Sequence, residues 1–199
     1  MNARKLALSG LPKAMWKNGG GHTTDLVIEP AGAAWDDCLW RISVAEIARS
    51  GAFSHLAGLD RLFVPLRPGL ALTIGDATSR SLGAFEILAF SGDQRTFCAV
   101  PDDVSERRPA LAFNLLWRRG RAKGALRCHP GAARFAPLAA GIRLLHVARG
   151  GFTYVGADGQ PLPLEAGEAL LQAAPGTAAA VEPARPWSML IEATAMPQP

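Results

Sequence analysis

The segment Trp16-Lys17-Asn18-Gly19-Gly20-Gly21-His22-Thr23 carries the densest chemistry in the sequence. Consecutive glycines lose much backbone freedom on folding, so a run of them marks a positive φ or a close approach. Successive backbone N–H groups in such a turn can form an anion-binding concavity. Lys17 adds a point charge and Asn18 both a donor and an acceptor. One reading is a loop that holds a small polar or anionic ligand, with Trp16 as its apolar wall. The other is a tight turn between two strands, with Lys17 in water.

Further candidates come from strand alternation. In Leu39–Ala45, Arg41 and Ser43 share one face while Trp40, Ile42 and Val44 share the other. In Phe113–Arg118, Asn114 and Arg118 lie on one face. An arginine at a cavity mouth binds a carboxylate through two parallel hydrogen bonds. The expected site therefore has Lys17 and Arg41 as charge partners and Asn18 and Asn114 as orienting groups. The Gly19–Gly21 amides serve as anion donors, and His22, Thr23, Ser43 and Arg118 complete the lining.

Other chemistries lack their signatures. The histidines His22, His55, His129 and His146 form neither H-x-H nor H-E-x-x-H, so no metal is expected. His146 alternates with Leu144 and reads as a hydrogen-bonded barrel histidine. The glycine run lacks the G-K-[ST] of a nucleotide-phosphate loop, and no G-x-S-x-G is present. No cofactor is expected. Arg107-Arg108 and Arg118-Arg119-Gly120-Arg121 have no interleaved aromatics, so they read as solvated loops and not as a nucleic-acid surface.

The elements that must position these residues are strands. Glycine and proline are frequent, at 21 and 15 residues, which favours many turns. Alternation suggests strands at Thr24–Glu29, Arg61–Leu66, Leu70–Ile74, Phe85–Phe90, Thr96–Val100, Ile142–Ala148, Phe152–Val155, Ala169–Leu171, Ala178–Glu182 and Trp187–Glu192. Helical turns are expected only near Val44–Arg49 and in Ala132–Ala139. An ungapped overlay of Arg61–Asp76 on Arg143–Asp158 matches Arg61 with Arg143, Leu62 with Leu144, Gly69 with Gly151 and, further on, Leu88 with Leu170. That points to a duplicated strand–turn–strand unit. The net charge of +4 suits small acids. The scattered Cys38, Cys98 and Cys128 fit a reducing compartment, and no stretch reads as a secretory or membrane segment, so a soluble, cytoplasmic protein is expected.

Several blocks together resemble the HutD/Ves family: Trp16–Gly21, Trp40-Arg41-Ile42-Ser43-Val44-Ala45, Gly51-Ala52-Phe53-Ser54, Gly58-Leu59-Asp60-Arg61, and Phe113-Asn114-Leu115 with Arg118-Arg119-Gly120. The sequence departs from the family pattern at Ala112, where an acidic residue is usual, at Leu116, where methionine is frequent, and at His22, where relatives carry a smaller residue. The resemblance implies an all-β, cupin-like double barrel, with residues 1–120 as one half and 121–199 as the other, packed as one unit. It also implies a ligand-binding or regulatory role linked to histidine utilisation or stress, without an assigned catalytic activity. A small carboxylate is the expected partner, with no nucleic acid or membrane, and a homodimer is compatible with the chain. The alternative is a metal-independent isomerase or epimerase using His22 or His146 as general base.

Overall fold

The computed structural model describes residues 3–198. Alternating apolar residues and frequent turn formers yield strands throughout. In chain order they are β1 (Ala3–Ala7), β2 (Lys13–Met15), β3 (Gly21–Glu29), β4 (Trp40–Ile47), β5 (Gly51–Ala52) and β6 (Leu59–Pro65). Then follow β7 (Ala71–Ile74), β8 (Arg80–Ser81), β9 (Leu88–Ser91), β10 (Thr96–Ala99), β11 (Ala110–Arg118), β12 (Ala122–His129) and β13 (Ala133–Phe135). The last are β14 (Ile142–Arg149), β15 (Gly151–Val155), β16 (Pro161–Glu165), β17 (Glu168–Ala173), β18 (Ala179–Pro183) and β19 (Met189–Pro197).

The strands form two compact units, Leu11–Lys123 and the combination of Met1–Gly10 with Gly124–Pro199. In the first, a six-stranded sheet ordered β2-β3-β4-β11-β6-β9 faces a four-stranded sheet ordered β5-β10-β7-β8. Between them lie Ala45, Ile47, Phe63, Leu70, Leu72, Leu82, Cys98 and Ala112. Phe63 is fully buried, and burial of such a side chain contributes about 2 kcal/mol. In the second unit a sheet ordered β1-β17-β14-β19-β12 faces one ordered β13-β18-β15-β16, around Leu145, Val147, Phe152, Leu164, Leu170 and Val181. The architecture is all-β and cupin-like, as the sequence resemblance implies.

The overlaid residues occupy equivalent ladder positions in the two units. Arg61 pairs with Phe90 and Phe63 with Leu88. Arg143 pairs with Gln172 and Leu145 with Leu170. Two details differ from expectation. Val44–Arg49 and Ala132–Ala139 contain no helical turn: β4 runs to Ile47 between β3 and β11, and Ala133–Phe135 pairs with β18. The unit boundary falls after Lys123. Strand β1 hydrogen-bonds to β17, so the beginning of the chain completes the sheet of the other unit.

Candidate functional site

The inner face of the six-stranded sheet is apolar at one end and polar in its middle. On β4 the residues facing the core are Arg41, Ser43, Ala45 and Ile47, because side chains alternate along a strand. Ala45 and Ile47 belong to the core cluster; Arg41 and Ser43 continue the same face in polar form. Across the ladder Ser43 is opposite Asn114 on one side and Asp25 on the other. The β3–β4 register shifts between Asp25 and Val27, a bulge that re-aims the strand there. Arg41 then reaches Asp25 through two parallel hydrogen bonds, Nε to Oδ1 at 2.6 Å and Nη2 to Oδ2 at 3.0 Å. Its charge is thus matched within the sheet.

Arg61, on β6, sits across Leu116 from Arg41. Its Nε and Nη2 both donate to Oδ1 of Asn114, at 3.0 and 2.5 Å. Its guanidinium carbon lies 4.4 Å from the ring centre of Phe53, 5.2 Å from Phe63 and 5.3 Å from Phe90. Those ring faces favour a cation, but no described carboxylate pairs with it. Burial lowers its pKa to about 10, and the neighbouring Arg41 charge acts in the same direction. It remains protonated at neutral pH. Cys98 is the nearby acid, and burial pushes its thiol up to about 12, so it supplies no counter-charge. The result is a guanidinium walled by aromatic rings and matched only by a neutral amide.

The equivalent position in the other unit is built differently. Arg143 donates from Nε to Glu192 Oε1 at 3.0 Å and from Nη1 to Ala136 O at 3.1 Å. Glu192 Oε2 is 3.0 Å from His129 Nε2. Burial of Glu192 alone would raise its pKa, but the His129 hydrogen bond and the Arg143 charge outweigh it and hold the carboxyl below its ordinary value. Arg143 lies beside Phe135, 5.2 Å from its ring centre. The same scaffold position therefore carries a charge-matched arginine in one unit and an unmatched one in the other.

The glycine run lies elsewhere. Gly21 pairs with Ile47, at the opposite end of β4 from Arg41. At strand spacing this separates them by about 20 Å. Gly19 N–H donates to Trp16 O, and Gly20 N–H to the Asn18 side-chain oxygen. These two amides are committed to the turn itself. A Cβ on Gly21 would meet Glu46 O at 2.2 Å, which accounts for glycine there. Lys17 and Asn18 are exposed. His22 is opposite Met15 and Glu46, on the other face from Thr23. Thr23 accepts the Trp16 indole N–H at 2.7 Å, and Trp16 packs edge-on against Phe53. Arg118 donates to the main-chain oxygens of Ala57 and Asp36, so it braces loops. Of the expected residues the structure gathers Arg41, Ser43 and Asn114. Trp16 joins them through Phe53, while Lys17, Asn18, the glycines, His22 and Arg118 stand apart.

Arg61 is absent from the sequence-based set. Its signal was present: it alternates with Phe63 on a strand, in the Gly58-Leu59-Asp60-Arg61 block. That block is locked to the Arg118–Gly120 block, since Arg119 pairs with Asp60 at 2.7 Å and Asp93 at 2.9 Å, and Gly58 N–H donates to Asp93. Metal ligation gains no support from the geometry, because among the described residues no three of His, Cys, Asp and Glu converge. Cys38 and Cys98 are buried and form no disulfide. Among the described residues no helix is long and apolar enough to cross a membrane.

Comparison with known proteins adds the family. The HutD family model matches residues 9–187. The chain belongs to the HutD family. Among its relatives, an uncharacterised 21.2 kDa protein in the hutC 3′ region of Pseudomonas putida is 33% identical over 124 residues, 62% of each chain. Protein Ves of Citrobacter koseri is 31% identical over 118 residues, 59% of each chain. The chain thus spans about three fifths of the length of the curated relatives it matches. Among solved structures, a conserved protein of unknown function from Pseudomonas aeruginosa PAO1 superimposes with a TM-score of 0.85 at 26% identity, covering 98% of this chain and 100% of that one. HutD from Pseudomonas fluorescens SBW25, in a formate condition, gives 0.82 at 23% identity, covering 99% and 100%. A cupin 2 conserved barrel protein from Leptotrichia buccalis gives 0.59 at 12%, covering 98% and 96%. This HutD-family chain therefore has a cupin-like fold.

Proposed function

We propose that this HutD-family protein binds a small carboxylate inside its Leu11–Lys123 unit, with the Arg61 guanidinium as the anion partner. The observation that carries this reading is the unmatched charge of Arg61. Arg61 is half-buried, and a cation partly withdrawn from water without a counter-ion pays part of its desolvation cost uncompensated. An anionic ligand removes that cost and bonds to guanidinium N–H groups in a geometry suited to carboxylate. Asn114 fixes the plane of the guanidinium, Ser43 offers a hydroxyl on the same face, and the Asp25–Arg41 pair bounds the site. Phe53, Phe63 and Phe90 supply apolar walls, with Trp16 behind Phe53. Sites of this kind are mostly apolar with a few convergent polar groups.

The role we infer is binding and regulation in the cytoplasm, connected to histidine utilisation through the resemblance to the HutD/Ves family. Catalysis by a histidine base is less well supported. Thr23 and its neighbours on the inner face carry no histidine, His22 is on the reverse face of β3, and His146 is on the reverse face of β14 from Arg143. A thermal-shift screen tests the reading. Formate, histidine, urocanate, formiminoglutamate, formylglutamate and glutamate are titrated against the native protein, and a ligand of the folded state raises the midpoint with concentration. At least one carboxylate should do so, and Arg61→Met should lose the effect while still folding. A flat response to all of them, or an equal response in the variant, counts against the proposal.

A further inference from the structure

The Gly124–Pro199 part of the chain, with β1, contains an open cavity of about 480 Å³. That is the size of known small-molecule sites. Ala3, Pro175, Gly176 and Thr177 line it, with Tyr154, Gln172 and Asp158 as its functional side chains. Each of the three is in a defined state. Tyr154 is 2% exposed, and its oxygen accepts the Gln172 Nε2 hydrogen at 2.9 Å. Tyr154 lines the cavity, and its O–H remains a donor available to a ligand there. Burial, with Asp158 nearby, raises the Tyr154 pKa, so the phenol keeps its proton at neutral pH. Gln172 is held from behind by Arg143, whose Nη1 lies 3.4 Å from its Oε1. Asp158 is exposed at the rim and makes no ion pair with a described residue; it accepts only the Gln160 N–H, at 3.1 Å.

The charge balance here is the reverse of that around Arg61. The nearest buried cation, Arg143, is already matched by Glu192. The cavity therefore offers a free carboxylate, a phenol donor and apolar walls, with no available cation. We infer that this cavity is a second binding site, for a small organic cation whose ammonium group reaches Asp158 and whose carbonyl oxygen accepts the Tyr154 O–H. It stands independently of the carboxylate site, because the two use different residues and opposite charge.

Tyr154 is the single tyrosine of the chain, so incorporation of 3-fluorotyrosine places one fluorine reporter in this cavity. Leucinamide serves as the probe, since it has an ammonium group, a carbonyl oxygen and an apolar side chain but no carboxylate. N-acetylleucine, of similar size and opposite charge, is the control. Leucinamide should move the fluorine resonance saturably, and N-acetylleucine should not. Asp158→Asn, at an exposed position, should weaken binding about tenfold, the equivalent of about 1.4 kcal/mol. Absence of a leucinamide shift, an equal shift with N-acetylleucine, or unchanged affinity in Asp158→Asn would each overturn the inference.

Discussion

Arg61 directs two N–H donors at one oxygen, Oδ1 of Asn114, across adjacent strands and 53 positions of sequence. The amide orients the guanidinium without neutralising it. In the proposed reading its remaining N–H groups meet the ligand. From this relationship follow several expectations that separate a binding arginine from a structural one.

The first concerns the counter-ion. Asn114→Asp places a carboxylate where Arg61 already donates. The variant should fold, and it should no longer respond to small carboxylates in a thermal-shift titration. Wild-type protein saturated to one hundred times Kd should gain about 2.7 kcal/mol. If Asn114→Asp retains the ligand-induced shift, Arg61 is not where the anion binds.

The two unit arginines should behave differently on removal. Arg61→Met deletes a half-buried, unmatched cation and leaves no orphan charge, only the Asn114 Oδ1 without its two donors, so chemical denaturation should show a smaller loss of stability than for Arg143→Met. Arg143→Met leaves Glu192, 8% exposed, facing only His129. Orphaning a buried partner in this way typically costs about 4 kcal/mol. Equal losses for the two variants would contradict the assignment.

These contrasts show what the sequence could and could not convey. Alternation in Leu39–Ala45 and Phe113–Arg118 was enough to put Arg41 with Ser43 on one strand face and Asn114 with Arg118 on another, because strand period is local. The overlay of the two halves matched Arg61 with Arg143 and Leu88 with Leu170, and these residues take equivalent ladder positions in the two units. What no local pattern conveyed was charge matching. Arg41 meets Asp25 beside a bulge in β3, whereas Arg61 meets Asn114 from a strand far along the chain. The glycine run misled for a similar reason. Its amides look available in sequence, yet Trp16 O and the Asn18 side chain occupy two of them, and the contact that requires Gly21 comes from Glu46.

The structural role of that run is itself testable. Gly21→Ala drives a Cβ into the main-chain oxygen of Glu46, a contact that flexible side chains cannot relieve. Overpacking of this kind should cost about 2 kcal/mol. Gly20→Ala meets only the Asn18 side chain, at 3.2 Å, and should be milder. Denaturation midpoints in the order wild type, Gly20→Ala, Gly21→Ala support this account, and the reverse order of the two variants refutes it.

Acid stability should carry the mark of His146. The side chain is 2% exposed, and burial lowers its pKa to about 4. The unfolded chain, with an ordinary histidine near pH 6.5, takes up a proton earlier than the folded one. Stability should therefore fall as pH drops from about 6.5 to about 4, by about 3 kcal/mol over the full window, and level off below it. Urea unfolding at pH 7 and at pH 4.5 measures the slope. His146→Gln should flatten it; an unchanged slope would show that other groups dominate.

The most direct test of the central claim is calorimetric titration of wild type and Arg61→Met with the carboxylate that gives the largest thermal shift. The account predicts a saturable heat in wild type and none in the variant, with both proteins folded by circular dichroism. Equal affinity in the two would contradict it.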